Sequence, residues 1–239
     1  TDRVPEPEPE SFVRHEVARQ LALVRSIGAK TSDWRMAFEP GDAARDALHA
    51  RLRAALERIG GPRRPGSARA RWLVVHPGAS AASRRWPAER FGLAADAIAE
   101  ATGCQIVFAA GEEERELVLR AQSAMRRPSL SLVGQLSLGE FAALIGGAQL
   151  VVCNNSAPSH LAAALGTPVV VLYALTNPQH TPWAVKSRVL NHDVPCRHCL
   201  KSICPQQHHD CLRKVEPHEV ARAAIELIGT LPEAIEPRP

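Results

Sequence analysis

The residues best placed to do chemistry fall in three short stretches. The first is CNNSAPSH, residues 153 to 160, between the apolar run QLVVC and the helix-forming APSHLAAALG. Either Asn155 or Ser156 is the N-cap that this pattern predicts, and Pro158 suits the first helical turn. A helix start presents free backbone N–H groups and a partial positive charge, which together suit a phosphate. His160 falls in the first turn and offers a further donor to the same anion. Taken alone, a capped helix with a surface histidine is the simpler reading. The second stretch is HPGASAASRRWP, residues 76 to 87, where Arg84 and Arg85 follow a loop of small residues. Arginine matches phosphate with paired N–H bonds, and small residues let the backbone approach closely. The plainer alternative is two solvent-facing arginines before a core Trp86. Two such loops on one sheet edge point more specifically to a diphosphate.

The third stretch is PCRHCLKSICPQQHHDC, with Cys196, Cys199, Cys204 and Cys211 separated by two, four and six residues. His198, His208 and His209 lie between them. This spacing could close a tetrahedral, structural zinc site. It fits no common iron–sulfur pattern. Reduced thiols, or disulfides formed on purification, remain the simpler alternative. Cys104 and Cys153 lie inside apolar runs and read as buried thiols.

Positioning these loops requires a framework, and the hydrophobic pattern supplies one. RWLVVH (71–76), QIVFAAG (105–111), SLSLV (129–133), QLVVC (149–153) and PVVVLY (168–173) read as strands. Between them lie helical patterns: PAERFGLAADAIAEATG, EEERELVLRAQSAM, LGEFAALIGG behind the capping box Ser137–Glu140, and APSHLAAALG. HEVARAAIELIG (218–229) is a final amphipathic helix. Two further helices, at 16–29 and 41–61, flank DWRMAF, which reads as a short strand. Strand–helix alternation predicts an α/β fold, a Rossmann-like parallel sheet with helices on both faces. Near-continuous apolar strands agree with burial on both sides. The dinucleotide fingerprint GxGxxG is absent. In such sheets ligands bind at the C-terminal strand ends, where both polar loops fall.

Composition narrows the classes. The chain has 239 residues, 45% of them hydrophobic, and a formal net charge of +4. That charge is too small to argue for nucleic acid. The Arg-rich stretch at 63–71 also holds Pro and Gly and reads as a solvated linker, the best domain boundary. No apolar run approaches the ~20 residues of a membrane span. The chain starts at Thr1 with TDRVPEPEPE, a proline-rich acidic segment that predicts a fragment or a processed product.

Taken in order, HPGAS…SRRWPAERF, FAAGEEERE, GQLSLGEFAALIGGAQLVVCNNSAPSHLAAALGTPVVVLY and the Cys-rich segment resemble the glycosyltransferase family 9 heptosyltransferases. The resemblance runs from about Trp72 to the final helix. It implies the C-terminal, donor-binding domain of a GT-B fold over residues 71–239, with a Cys-rich segment at 195–211. Residues 1–70 would be an extension, the remnant of the acceptor domain and the interdomain connection. The implied activity is an inverting glycosyltransferase that adds heptose to the lipopolysaccharide inner core. Its donor would be an ADP-heptose-like nucleotide sugar.

By position, Ser80 and Arg84 match donor-diphosphate contacts, Glu113 a ribose contact and Leu136 a backbone contact to adenine. Asn155, Ser156, Ala157 and His160 match the family's Asp-Ser/Thr-Gly-x-x-His loop. Asn155 stands for the aspartate and Ala157 for the glycine, so the loop argues better for a diphosphate than for a particular sugar. Arg84 and His160 would stabilise the leaving ADP, no metal being required for catalysis. The general base would lie in the acceptor domain, so the isolated chain is expected not to catalyse transfer. The lipopolysaccharide core acceptor would be met through that domain, in the cytoplasm, at most peripherally at the inner membrane. Two alternatives stand beside this: a GT-B transferase for another nucleotide sugar, and a non-catalytic, zinc-stapled binding module.

Overall fold

The structure, a computed structural model, describes residues 14–58 and 71–229. The TDRVPEPEPE start and the Pro/Gly/Arg boundary at 63–70 lie outside the described residues. Six strands form one sheet: β1 (Trp72–His76), β2 (Gln105–Phe108), β3 (Leu130–Ser131), β4 (Leu150–Asn154), β5 (Val169–Leu172) and β6 (Ser187–Leu190). Their order is β3-β2-β1-β4-β5-β6, and every neighbouring pair is parallel. This is the doubly wound Rossmann-like order, with its topological switch point between β1 and β4.

The described helices are α1 (Glu16–Ser26), α2 (Asp42–Arg58), α3 (Ala88–Thr102), α4 (Arg115–Ser123), α5 (Leu138–Gly146), α6 (Ala157–Leu165), α7 (Asp210–Arg213) and α8 (Pro217–Gly229). Side-chain alternation along β1 sends Leu73 and Val75 to one face and Val74 to the other. On the first face Phe91 and Ile98 of α3 and Val220 and Leu227 of α8 complete a core. On the second, Leu48 and Leu52 of α2 pack with Leu144 and Ile145 of α5. Burying one such side chain contributes about 1.5–3 kcal/mol, and both faces need covering because the strands are apolar throughout. Gly92 lets α3 approach α4, since a Cβ there would meet the Ala121 carbonyl oxygen at 1.9 Å.

Two stretches depart from the expected strand pattern. DWRMAF forms no strand: the Asp33 carboxylate instead accepts bonds from the Arg35 backbone N–H and guanidinium, closing a local turn. SRVL, which carries no strand signal beyond two apolar residues, becomes the edge strand β6 because β5 offers it a ladder.

Glu140 joins the two helices of the second face. Its carboxylate accepts from Ser137 N at 2.8 Å and from Arg51 Nε of α2 at 2.7 Å. The Arg51 bond first, then the Ser137 bonds, hold its pKa down to about 2 against an ordinary 4.5. A depressed carboxylate stabilises the fold above its unfolded pKa and stops doing so as pH falls through its folded pKa. Glu140→Gln is therefore expected to cost about 1–3 kcal/mol at pH 7. Urea unfolding should show the gap from wild type narrowing as pH is lowered from 4.5 towards 2.

A candidate anion site at the switch point

The loops that follow β1 and β4 meet where the strand order reverses. Asn154, the last residue of β4, is fully buried and joins them. Its Oδ1 accepts from the Trp86 backbone N–H at 3.0 Å, and its Nδ2 donates to the carbonyls of Pro77 at 2.8 Å and Gly78 at 3.2 Å. Trp86 is sunk into the core, where its Nε1 donates to the Val215 carbonyl at 3.1 Å and its ring meets Phe91 edge-on at 4.9 Å. The segment from Pro77 to Trp86 is thus tied at both ends.

Within it, Ala82–Arg84 forms a single 3-10 turn. The two adjacent arginines have different surroundings. Arg85 donates from Nε to the Ala79 carbonyl at 2.6 Å and so closes its own loop. Arg84 is half-buried, and its Nε is fully buried with no hydrogen-bond partner among the described residues. A buried, unsatisfied guanidinium nitrogen costs free energy unless a ligand accepts from it. Arg84 lies close enough to Tyr173 and His180 to affect both electrostatically.

Across the switch point, α6 starts at Ala157 with Ser156 as N-cap, and Ser156 makes no side-chain cap bond. Its hydroxyl contacts the Gly78 carbonyl at 3.5 Å and the Asn154 carbonyl at 3.3 Å. His160 is half-buried in the first turn. Burial first, then the neighbouring His180 and His15, push its pKa below the ordinary histidine value, so it offers an N–H and little charge. Arg84 and the α6 N-terminus make this corner electropositive, and burial lowers the pKa of His180 as it does that of His160, so both histidines add N–H donors and little charge.

The remaining sequence candidates lie along the same edge. Ser80 and Ala157 are exposed. Glu113 is exposed beyond β2, with its carboxylate folded over Gly111, and Leu136 is half-buried beyond β3. Asn155 is buried near the Tyr173 hydroxyl, which donates to the Asn177 carbonyl. Residues the sequence reading passed over are Asn154, Tyr173, His180 and His76. Buried His76 bonds through Nδ1 with the Ala109 carbonyl at 2.8 Å and lies 3.5 Å from the Glu114 carboxylate. A signal for Asn154 was available in its place at the end of an apolar strand, where a buried amide needs partners.

All six cysteines are free thiols. Cys196, Cys199, Cys204 and Cys211 line one cavity together with His208 and Ser83. Cys196 Sγ is 3.7 Å from His208 Nε2. Among the described residues, no three His, Cys, Asp or Glu side chains stand at metal-coordinating geometry.

A family model described as glycosyltransferase family 9 (heptosyltransferase) matches residues 8–209. The chain belongs to glycosyltransferase family 9. Among family 9 relatives, lipooligosaccharide heptosyltransferase 2 of Campylobacter jejuni is 28% identical over 162 residues, covering 65% of this chain and 50% of that protein. This family 9 chain thus spans about half the length of the curated relatives it matches. Solved structures that share its fold include two heptosyltransferase-family proteins. The glycosyl transferase family 9 protein from Veillonella parvula superposes with a TM-score of 0.75 at 24% identity, covering 92% of this chain and 62% of that one. ADP-heptose lps heptosyltransferase II of E. coli superposes with a TM-score of 0.60 at 23% identity, covering 80% and 53%.

Proposed function

We propose that this chain is the donor-binding half of an inverting, GT-B heptosyltransferase that adds heptose to the lipopolysaccharide inner core. Its ligand would be an ADP-heptose-like nucleotide sugar, seated along the strand ends. The observation that supports this most is Arg84, whose buried Nε lacks a partner beside an α6 N-terminus that Ser156 leaves uncapped. A diphosphate supplies acceptors to both. In this reading Ser80, Ser156 and Ala157 line the diphosphate, Glu113 accepts from the ribose, and the backbone at Leu136 meets adenine. Asn155 acts from beneath by fixing Tyr173.

The chemistry follows from charge. An acceptor hydroxyl, deprotonated by a base on the facing domain, attacks the anomeric carbon, and ADP leaves carrying growing negative charge. Arg84, His160 and the α6 N-terminus are fixed donors aimed at that charge, the kind of preorganised stabilisation that lowers such barriers most. Among the described residues no helix is long and apolar enough to cross a membrane. In this reading the lipopolysaccharide acceptor would be met peripherally, at the cytoplasmic face.

Calorimetry on the 239-residue chain tests the donor reading. ADP and ADP-heptose are expected to bind one per chain, with UDP and GDP at least tenfold weaker. Equal affinity for all would point to a transferase for another nucleotide sugar, and no binding would reject the site.

A second proposal concerns the thiols. Four cysteines and His208 around one cavity supply the sulfur and imidazole nitrogen that zinc prefers, and binding would have to draw at least three of them together. Among the described residues, four of the five non-glycine residues with positive φ, His198, Leu200, Gln207 and His209, lie in this segment. Such strained turns persist where something else fixes the chain. A bound ion would staple the segment and take no part in transfer. Protein purified without chelators is expected to carry about one zinc per chain, and a metal-free preparation of equal thermal stability would reject it.

A further inference from the structure

Ser83 joins the cysteine-lined segment to the arginine turn. It is buried in the middle of the 3-10 turn and exposes only 3% of its surface. Its backbone N–H donates to the Ser202 carbonyl at 3.2 Å, and its hydroxyl donates to the Lys201 carbonyl at 2.9 Å. Both acceptors lie between Cys199 and Cys204, and Ser83 itself lines the thiol cavity. The segment is anchored in turn to the loop after β5, where His198 N–H donates to Leu175 O at 2.6 Å and Leu200 N–H to Thr176 O at 2.9 Å. It therefore spans from the β5 loop to the β1 loop.

The turn has little of its own to hold it. Its internal bonds are Arg84 N to Ala81 O at 3.0 Å and Arg85 N to Ala82 O at 3.2 Å. One isolated turn of this kind is marginal, since it fixes several dihedrals for few bonds. The following residue, Arg84, nonetheless keeps its Nε buried and unsatisfied, which favours any movement that would let it reach water. A restraint on Ser83 opposes that movement directly, because the two residues share a peptide unit.

We propose that Ser83 is a positioning residue for donor binding, and that the 196–211 segment is a brace holding the Arg84 turn through it. The proposal rests on the donor reading above for the ligand, and on the hydrogen bonds alone for the brace. It gives the cysteine-rich segment a role at the diphosphate without any contact to it.

The test is a double-mutant cycle on the full chain, with ADP affinity measured by calorimetry. Ser83→Ala is expected to weaken ADP about fivefold to tenfold, the effect of one lost buried hydrogen bond transmitted to one contact. Ser83→Thr, which keeps the hydroxyl, should recover affinity to within about twofold. In the Arg84→Ala background, Ser83→Ala should change affinity less than about twofold, because the residue it positions is gone. An undiminished loss in that background, or no loss in the wild-type background, overturns the proposal. Hydrogen exchange separates its failure from failure of the donor reading. Should Arg84→Ala leave ADP affinity unchanged, the donor reading fails, and exchange at 82–86 then decides for Ser83. Faster exchange there in Ser83→Ala, with the sheet unchanged, supports the brace, and unchanged exchange overturns it.

Discussion

Arg84→Ala is expected to weaken ADP binding by about tenfold to a hundredfold while leaving the unfolding midpoint unchanged or slightly raised. The binding loss follows from charge-assisted hydrogen bonds, each contributing about 1.5–3 kcal/mol. The stability effect has the opposite sign because of what the free chain lacks. Arg84 Nε is buried and satisfied by nothing, so alanine removes a desolvated donor together with its cost. A residue that is unfavourable for the fold and valuable for a ligand is what a binding site predicts. Arg85→Ala is the control beside it. Arg85 is exposed and its Nε is engaged by the Ala79 carbonyl. Its loss should loosen the loop and lower affinity severalfold at most. Calorimetry and a thermal melt on the two variants decide the matter. Equal effects from both arginines would mean general charge attraction and no built site.

The two arginines also mark how far a sequence can be read. Five strands were visible as apolar runs because both faces of this sheet are covered, so burial wrote itself into nearly every position. β6 escaped because an edge strand covered less fully can carry Ser187 and Arg188. DWRMAF misled because aromatic and apolar residues suit a strand only where a neighbouring strand exists to pair with it. At the site, Arg84, Ser156 and His160 were legible through their types and their places at strand and helix ends. Which of two adjacent arginines is closed by its own loop is set by the turn at Ala82–Arg84, and sequence does not encode that locally. Ser83 shows the same limit at longer range. A lone serine among small residues carries no signal, because its partner carbonyl lies 118 residues away. Asn154 and Asn155 differ for a reason of phase. Side chains alternate across the sheet as far as the strand end, so Asn154 staples the two loops, while Asn155, one residue beyond β4, turns towards Tyr173.

That staple carries the largest expected stability effect. Asn154→Ala would remove the buried partner of the Trp86 N–H and the Pro77 carbonyl, and would leave the Gly78 carbonyl only its 3.5 Å contact from the Ser156 hydroxyl. At roughly 1–3 kcal/mol for each unsatisfied group, with partial relaxation, the loss is about 3–5 kcal/mol. Since small domains are stable by only about 5–15 kcal/mol, the variant should sit near its folding threshold. Asn154→Asp separates the hydrogen bonds from mere volume. The introduced carboxylate matches the amide in shape and still accepts from Trp86, but its second oxygen faces two carbonyl oxygens where an N–H₂ donated before. Burial and those two acceptors favour its protonated form and raise its pKa above the ordinary carboxylate range. A carboxyl with a raised folded pKa binds more protons in the folded state than in the unfolded one, so stability is lost as pH rises through that pKa. The variant should therefore gain stability relative to wild type between pH 8 and pH 5, whereas the wild-type amide has no such dependence. Denaturant midpoints across that range give the answer. A flat difference between the two proteins would show that Asn154 fills space, and that the loops of the site are held together by something else.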